Sequence, residues 1–109
     1  GEFFNLFEDD QVKVKELIVE PGKGMSLQKH LKRSEIWLVS KGKCLVNYSK
    51  ISPKETRELV LGKHNSLHIE LGDWHQITNP YDEVCKIIEI QYGKETNEED
   101  IERHSYYKK

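Results

Sequence analysis

Short runs of alternating hydrophobic and polar residues, separated by turns, recur along most of the chain. Alternation with a period of two places successive side chains on opposite faces of a β-strand. Glycine, proline, asparagine and aspartate separate the runs, as at residues 21–24, 62–65 and 79–82. The pattern predicts strands at residues 12–19, 26–30, 35–39, 44–48, 57–61, 66–69, 74–77 and 84–91.

Eight or nine closely spaced strands, with almost no helical periodicity, predict an all-β sandwich or small barrel. The 109 residues suit a single domain with one core. After Gly93 the chain becomes strongly charged, and Thr96 with Glu99 fits the capping box that opens a helix. We therefore expect a barrel over residues 1–93, followed by a charged helix or tail over residues 94–109.

Charge and composition narrow the range of partners. The net charge is −2 and no basic stripe is present, so we expect neither a nucleic-acid surface nor a membrane surface. No apolar stretch approaches the ~20 residues of a membrane span, and no signal peptide is visible. Cys44 and Cys85 lie in apolar runs and are expected as buried free thiols, although a disulfide also fits the sequence. We therefore expect a cytoplasmic protein and, because the chain opens with Gly1, further native residues upstream.

The stretch QKHLKRSEIW, residues 28–37, carries three side chains that can bind a metal ion. Gln28 and His30 share one face of a strand by alternation, and Glu35 follows after a short connection. A fourth candidate, His75, comes much later, after a Gly-Asp turn. Such nitrogen and oxygen ligands suit a divalent transition metal, Zn, Mn, Fe, Co or Ni. Taken singly, each residue has an ordinary alternative, namely a surface histidine, a solvated carboxylate or an exposed amide.

The joint spacing of these residues resembles the two sequence motifs of the cupins. The residues that fall on the first motif are Gly22, Gln28, His30, Glu35 and Gly42, with glutamine where the motif usually has its first histidine. Those that fall on the second are Gly72, His75 and Asn79. The resemblance implies a double-stranded β-helix, or jelly-roll barrel, with a metal ion held in its mouth by Gln28, His30, Glu35 and His75.

The resemblance narrows to the C-terminal cupin domain of type II mannose-6-phosphate isomerases. The segment SLQKHLKRSEIWLVSKGK is similar to that family's Ser-Leu-Gln, x-His and Arg-x-Glu-x-Trp pattern, which itself carries the glutamine. The similarity extends over about residues 1–103. In larger bifunctional members this region follows a nucleotidyltransferase domain. The family pattern often has further histidines where this chain has Leu31 and Lys32, and a proline where it has Glu70. These departures leave the identity of the sugar substrate undecided.

This family implies an isomerase that interconverts mannose 6-phosphate and fructose 6-phosphate, with the metal ion as Lewis acid. Glu89 is a candidate general base whose pKa burial would raise, and an equal alternative is a structural carboxylate that orients a ligand. Arg33 is predicted to hold the substrate phosphate, or else to form a salt bridge on the outer surface. Lys29, Gln91 and Arg103 complete the predicted substrate-binding set.

Two other functions compete with the isomerase. A different carbohydrate-acting cupin enzyme, an epimerase or an oxygenase, would use the same metal site, although glutamine is unusual among oxygenase ligands. A non-catalytic module would bind a sugar or sugar phosphate without turnover. In the leading hypothesis the partner is a small-molecule sugar phosphate, and because exposed strand edges favour association we also expect a homodimer formed through edge strands.

Overall fold

A computed structural model describes residues 2–30, 33–93 and 102–105, with side chains for residues 3–30 and 33–93. None of these residues lies in a helix, and hence no helix among them could cross a membrane. The predicted all-β class is confirmed. The strands are β1 (Glu2–Glu8), β2 (Val12–Val19), β3 (Leu27–Lys29), β4 (Arg33–Lys41), β5 (Cys44–Ser49), β6 (Arg57–Leu61), β7 (Ser66–Ile69), β8 (Trp74–Thr78), β9 (Cys85–Gly93) and β10 (Glu102–Ser105).

The described strands form two antiparallel sheets of five strands each. Sheet A has the order β1-β2-β9-β4-β7, and sheet B has the order β10-β3-β8-β5-β6. Most neighbours within a sheet are distant in the chain, because the chain passes repeatedly from one sheet to the other. This crossing pattern is the predicted jelly-roll barrel, with its core between the two sheets.

Strict alternation in the central strands of sheet A separates an inner face from an outer face. In β4, Glu35, Trp37 and Val39 are buried in the barrel, while the residues between them are partly or largely exposed. β9 alternates in the same way and lies beside β4, so that Trp37 stands opposite Glu89. Polar inner-face positions of the two strands therefore meet inside the barrel.

The inside of the barrel has an apolar half and a polar half. Burial of each large apolar side chain stabilises the fold by about 1.5–3 kcal/mol, so the apolar half holds the sheets together. Cys44 and Cys85 lie there as buried free thiols, as predicted. The buried apolar side chains form one cluster, which consists of Val19, Trp37, Val39, Cys44, Val46, Tyr48, Leu61, Ile69, Ile77, Cys85 and Ile87.

Two strands occur where the alternating pattern predicts none. The apolar residues of β1 do not alternate strictly with polar ones. The strand still pairs with β2, because a register shift between Asn5 and Phe7 accommodates the irregular order. β10 forms a strand within the stretch predicted as a helix or tail, because pairing with β3 outweighs the local preference. The rest of that stretch, residues 94–101 and 106–109, lies outside the described residues, so the boundary at residue 93 stays a prediction.

Candidate metal centre

Three of the four predicted ligands meet at the polar half of the barrel. His30 follows β3, Glu35 lies on β4 and His75 lies on β8, so both sheets contribute. Their potential ligand atoms all lie within 4.8 Å of one another, and all three side chains are buried. The spacing in the sequence therefore correctly indicates that these residues converge.

His75 is held as a neutral imidazole that presents one nitrogen to the cluster. Its Nδ1 lies 2.9 Å from the carbonyl oxygen of Asp73, and because a carbonyl only accepts, Nδ1 must carry the proton. Burial lowers the pKa of His75 to about 4, so the ring stays neutral near pH 7. The lone pair of Nε2 then faces Glu35 Oε1 at 3.5 Å, as a metal-ligating histidine requires.

Arg33 lies inside the barrel, against the cluster, and not in a salt bridge on the outer surface. Its Nη2 donates to His30 Nε2 at 3.2 Å, and its Nε lies 3.5 Å from Glu35 Oε2. His30 Nε2 is also 3.4 Å from the same Glu35 oxygen. The guanidinium therefore balances the carboxylate charge, and its hydrogen bond to His30 would open when a metal ion takes that lone pair.

Gln28 lies beside the cluster, and its ligand role stays a prediction. Its Cα stands opposite that of His75 in the β3–β8 ladder, so both side chains share the inner face. Its Oε1 accepts a hydrogen bond from Ser26 Oγ at 3.0 Å, which leaves a second lone pair on that oxygen. Gln28 could thus complete the ligand set while Ser26 keeps its amide oriented.

The chemistry of these donors fits a divalent transition metal. His75 Nε2 is buried and forms no hydrogen bond with the described residues, although buried polar atoms nearly always have a partner. Two neutral imidazoles and one carboxylate are nitrogen and oxygen donors of the kind that Zn, Mn, Fe, Co and Ni accept. The residues present therefore fit the ion that the fold family implies.

Glu89 is a second buried carboxylate, one strand away from Glu35. It accepts hydrogen bonds from Trp37 Nε1 at 3.0 Å and from Gln91 Nε2 at 2.6 Å. Burial, followed by the nearby charge of Glu35, raises its pKa to about 8, although Lys15 acts in the opposite direction. The pKa shift agrees with a general base, but two hydrogen bonds also suit a structural carboxylate. Its catalytic role stays a prediction.

The predicted substrate-binding residues are placed differently from one another. Gln91 is buried, and its Nε2 also lies 3.2 Å from Glu35 Oε2, so its amide bridges the two carboxylates. Lys29 follows Gln28 in β3, so its side chain points to the opposite face of the sheet. Its Nζ lies there, 5.0 Å from the ring centre of Trp74, and Lys29 is therefore not part of the cluster. The backbone of Arg103 stands opposite Gln28 in the β10–β3 ladder, and its side chain lies outside the described residues.

Sequence reasoning missed Lys15, a buried lysine on the inner face of β2. Its Cα stands opposite that of Glu89, and its Nζ lies 4.5 Å from the ring centre of Phe3. In the run VKVKELIV, Lys15 occupies the same alternation phase as Leu17 and Val19, which is the phase of the inner face. A lysine in that phase is the sequence feature that could have revealed it.

Sequence reasoning also missed Asp73, which forms the turn before His75. Its carboxylate accepts hydrogen bonds from Tyr48 Oη at 2.5 Å, from Lys50 Nζ at 3.2 Å and from the backbone N of Glu70 at 2.9 Å. These contacts fix the turn whose carbonyl oxygen orients His75. An aspartate two residues before a candidate ligand is a sequence feature worth testing in this way.

Two antiparallel sheets around a buried His-Glu-His cluster define a cupin barrel, and solved structures agree. The capsular polysaccharide assembling protein CapF from Staphylococcus aureus aligns over 94% of this chain and 31% of its own, with a TM-score of 0.81 and 22% identity. The family model described as mannose-6-phosphate isomerase C-terminal matches residues 1–105. The chain belongs to this cupin family.

Curated relatives carry the name of a different reaction. A mannose-1-phosphate guanylyltransferase of Sinorhizobium fredii is 35% identical over 103 residues, which are 94% of this chain and 19% of that protein. Mannose-1-phosphate guanylyltransferase 2 of Escherichia coli O157:H7 is 34% identical over 103 residues, which are 94% of this chain and 20% of that protein. The chain thus spans about one fifth of the length of these relatives.

The predicted function is therefore wrong. The relatives are named for guanylyl transfer and not for the interconversion of mannose 6-phosphate and fructose 6-phosphate. The epimerase, oxygenase and non-catalytic sugar-binding alternatives do not fit these names either. The error has a physical reason, because the motif spacing specifies the barrel and its ligands, and the same ligand set can serve several reactions. What stands is an enzyme family that acts on sugar phosphates.

Proposed function

We propose that this chain is the metal-binding cupin domain of an enzyme of mannose 1-phosphate guanylyl transfer, and that its barrel mouth takes mannose 1-phosphate. The observation that carries the proposal is the buried cluster of His30, Glu35 and His75, in a chain whose relatives bear that enzyme's name. The proposal includes a cytoplasmic location. Cys44 and Cys85 are free thiols, and free thiols are typical of a reducing compartment.

The metal ion would be held by His30, Glu35 and His75, with Gln28 as the fourth protein ligand. When bound, it supplies Lewis-acid attraction for an oxygen of the sugar phosphate. The protein side chains do the remaining work. Asp73 keeps the Nε2 lone pair of His75 directed into the site, and Gln91 ties Glu35 to Glu89, so the ligands are positioned before the substrate arrives.

The charges inside the barrel favour an anionic ligand. Lys15 and Arg33 are buried cations on the inner face of sheet A. The opposing carboxylates are Glu35 and Glu89; burial raises the pKa of Glu89 to about 8, and a bound metal ion would oppose that shift. Even with both carboxylates ionised, Lys15 and Arg33 offset their charge, so a bound divalent metal ion would give the site an excess of positive charge. A phosphate group would compensate that excess in a low-dielectric site.

Calorimetric titration of mannose 1-phosphate into the cobalt-loaded chain tests this proposal. We expect saturable binding, and at least tenfold weaker binding of mannose without its phosphate, because a charge-assisted hydrogen bond contributes about 1.5–3 kcal/mol. Lys15→Met should weaken the binding of mannose 1-phosphate by about tenfold for the same reason. The matched control is Lys63→Met, because Lys63 stands in the turn before β7 at the apolar end of the barrel, and it should leave the affinity unchanged.

The proposal fails if the cobalt-loaded wild-type chain gives no binding heat with millimolar mannose 1-phosphate. It also fails if mannose binds as tightly as its phosphate, because the buried cations would then have no role. Equal losses in Lys15→Met and Lys63→Met would indicate nonspecific attraction of the phosphate to surface charge.

A further inference from the structure

The turn between β7 and β8 contacts both histidines of the buried cluster. The backbone N of Gly72 donates to the carbonyl oxygen of His30 at 2.8 Å. The carbonyl oxygen of Asp73 lies 2.9 Å from Nδ1 of His75 and accepts its proton. A hydrogen bond of 3.1 Å from the backbone N of Asp73 to the carbonyl oxygen of Glu70 closes the turn. A shift of this turn would therefore move one histidine of the cluster relative to the other.

Ring packing holds the imidazole of His75 on the side away from the turn. Its centre lies 5.4 Å from that of Trp37, with an angle of 72° between the ring planes, and 5.0 Å from that of His30. The residue is fully buried, so the direction of its ring depends on the protein groups that touch it. The hydrogen bond to Asp73 selects which nitrogen carries the proton, and hence where the lone pair of the other nitrogen points.

Two side chains from the end of β5 hold this turn in place. Tyr48 Oη and Lys50 Nζ both donate to Oδ2 of Asp73, and the backbone N of Glu70 donates to the same oxygen. Here the turn anchor denotes Tyr48, Lys50, Glu70 and Asp73. The Asp73 side chain is only 6% exposed, and a buried carboxylate requires such donors. The carboxylate therefore keeps the turn attached to β5.

The strand that carries the turn anchor lies next to the strand that carries His75. In the β5–β8 ladder the Cα of Tyr48 stands opposite that of His75. The ring of Tyr48 is buried in the apolar cluster of the barrel, so packing fixes the position of its hydroxyl group. A side chain on a packed strand positions a neighbouring group more precisely than a loop residue does. Tyr48 thus joins the rigid part of the barrel to the turn.

Glu70 contributes to the turn anchor through its backbone and its side chain. A proline at this place would have no N–H to donate to Asp73. Oε2 of Glu70 lies 3.2 Å from Lys50 Nζ, so this ammonium group bridges two carboxylates. The side chains of Lys50 and Glu70 are 57% and 63% exposed, and exposed ion pairs contribute little to stability. We therefore expect Tyr48 to have a larger effect on the turn than Lys50.

We propose that Tyr48 and Lys50 are positioning residues of the metal centre. They act through Asp73, which both of them contact, and they set the relative placement of the two histidines of the cluster. Partners that orient a metal ligand typically change the affinity for the ion by about 10-fold to 100-fold when they are removed. The inference rests on the metal centre of the proposed function, but not on its sugar phosphate.

Cobalt titration of the full chain, followed by the visible absorption of the bound ion, tests the role of Tyr48. Tyr48→Phe deletes only the hydroxyl group and should weaken cobalt binding by about tenfold or more. The absorption band should also change, because it depends on the coordination geometry. The matched control is Thr78→Val, which deletes a hydroxyl group on β8 that donates to Leu45 and should keep the wild-type affinity and band. Urea unfolding of both metal-free variants measures their loss of stability, which by itself should not weaken cobalt binding.

Substitutions of Lys50 test the turn anchor at a side chain that is more than half exposed, where the fold is not at risk. Lys50→Met should weaken cobalt binding by about twofold to fivefold, because exposed ion pairs are weak. Removal of a cation near the cluster would by itself strengthen cobalt binding, so the direction of the change separates positioning from simple charge repulsion. Lys50→Arg keeps the charge and the donors and should restore the wild-type affinity. Lys43→Met, at the apolar end of the barrel, is the control and should have no effect.

Three results would overturn this inference. Wild-type affinity and an unchanged band in Tyr48→Phe and Lys50→Met would show that the turn anchor only stabilises the fold. An equal loss of affinity in Thr78→Val and Tyr48→Phe would show that cobalt binding follows general stability. Both of these results leave the proposed function intact. A wild-type chain that binds no cobalt would instead overturn this inference together with the metal centre of the proposed function.

Discussion

Glu35 and Glu89 are neighbouring buried carboxylates with different surroundings. Glu35 lies beside the guanidinium of Arg33, 3.5 Å from its Nε, and beside two histidines. Glu89 accepts hydrogen bonds from the neutral indole of Trp37 and the neutral amide of Gln91. Burial and the nearby charge of Glu35 favour the protonated form of Glu89, and they outweigh Lys15 and the Trp37 hydrogen bond, which favour its charged form. The two carboxylates are therefore suited to different tasks.

The raised pKa of Glu89 should make stability depend on pH. Because its pKa is about 8 in the folded chain and about 4.5 in the unfolded chain, the folded state binds the proton more tightly. Its contribution to stability is complete below pH 4.5 and is lost as the pH rises towards 8. Glu89→Gln should abolish this loss, which amounts to at most about 1.4 kcal/mol per pH unit.

Urea unfolding at pH 5, 6.5 and 8 measures this effect as the difference in stability between Glu89→Gln and wild type. We expect that difference to shift in favour of the variant, by a few kcal/mol, as the pH rises from 5 to 8. Glu58→Gln, at an exposed residue of β6, is the control and should follow the wild type. A difference that stays constant with pH would show that Glu89 is ionised in the folded chain throughout this range.

Some residues of the site could be predicted from the sequence and others could not. His30, Glu35 and His75 were predictable because the motif spacing, combined with strand alternation, places them on converging inner faces. Whether Arg33 points inward or outward depends on where β4 begins, and the sequence alone left the two options equal. Lys15 was missed because a lysine in an apolar phase looks like a break in the pattern until the opposing strand is known.

At the scale of elements, tight turns fix where the strands begin. Gly42, between β4 and β5, has a φ of +72°, which side chains other than glycine rarely adopt. An added Cβ would also lie 2.4 Å from the carbonyl oxygen of Val84, in the loop just before β9. This turn therefore packs against the neighbouring loop, and no larger residue fits there without a backbone shift.

Gly42→Ala should destabilise the fold more than Gly72→Ala. Gly72 also has a positive φ, of +79°, but an added Cβ would meet no atom within 4 Å. Its substitution should therefore cost only the conformational penalty of about 1–2 kcal/mol. Gly42→Ala adds a backbone clash and should cost at least about 1 kcal/mol more. Chemical unfolding measures both, and equal losses would mean that the Val84 loop moves aside freely.

The predictability of the elements follows from where their stability comes from. β2 and β5 through β9 were predicted to within two residues, because both faces of their sequences carry a clear pattern. β4 extends two residues further at each end than predicted, since its polar ends Arg33 and Lys41 are held by pairing with β9. β1 and β10 lie at sheet edges and depend on ladder hydrogen bonds with a single neighbour, which leave little trace in the local sequence.

At the scale of the whole molecule, the fold of the barrel and the reaction of the enzyme are determined by different features of the sequence. The cupin barrel and its ligand cluster were predictable because they depend on spacing and alternation. The reaction was predicted wrongly because it depends on what else reaches the barrel mouth, and this chain spans about one fifth of its curated relatives. The proposed function depends on the metal centre, which this chain contains whole.

Elemental analysis of the purified chain after loading with Zn, Mn, Fe, Co or Ni tests whether His30, Glu35 and His75 hold a metal ion. We predict about one transition-metal ion per wild-type chain. His75→Ala should lose the ion while keeping the wild-type circular dichroism spectrum. His68→Ala is the control, because His68 lies on the outer face of sheet A beside Tyr92, and it should retain the ion. A wild-type chain that binds none of these metals, or a His75→Ala chain that binds as much as the wild type, would show that this cluster is not a metal site.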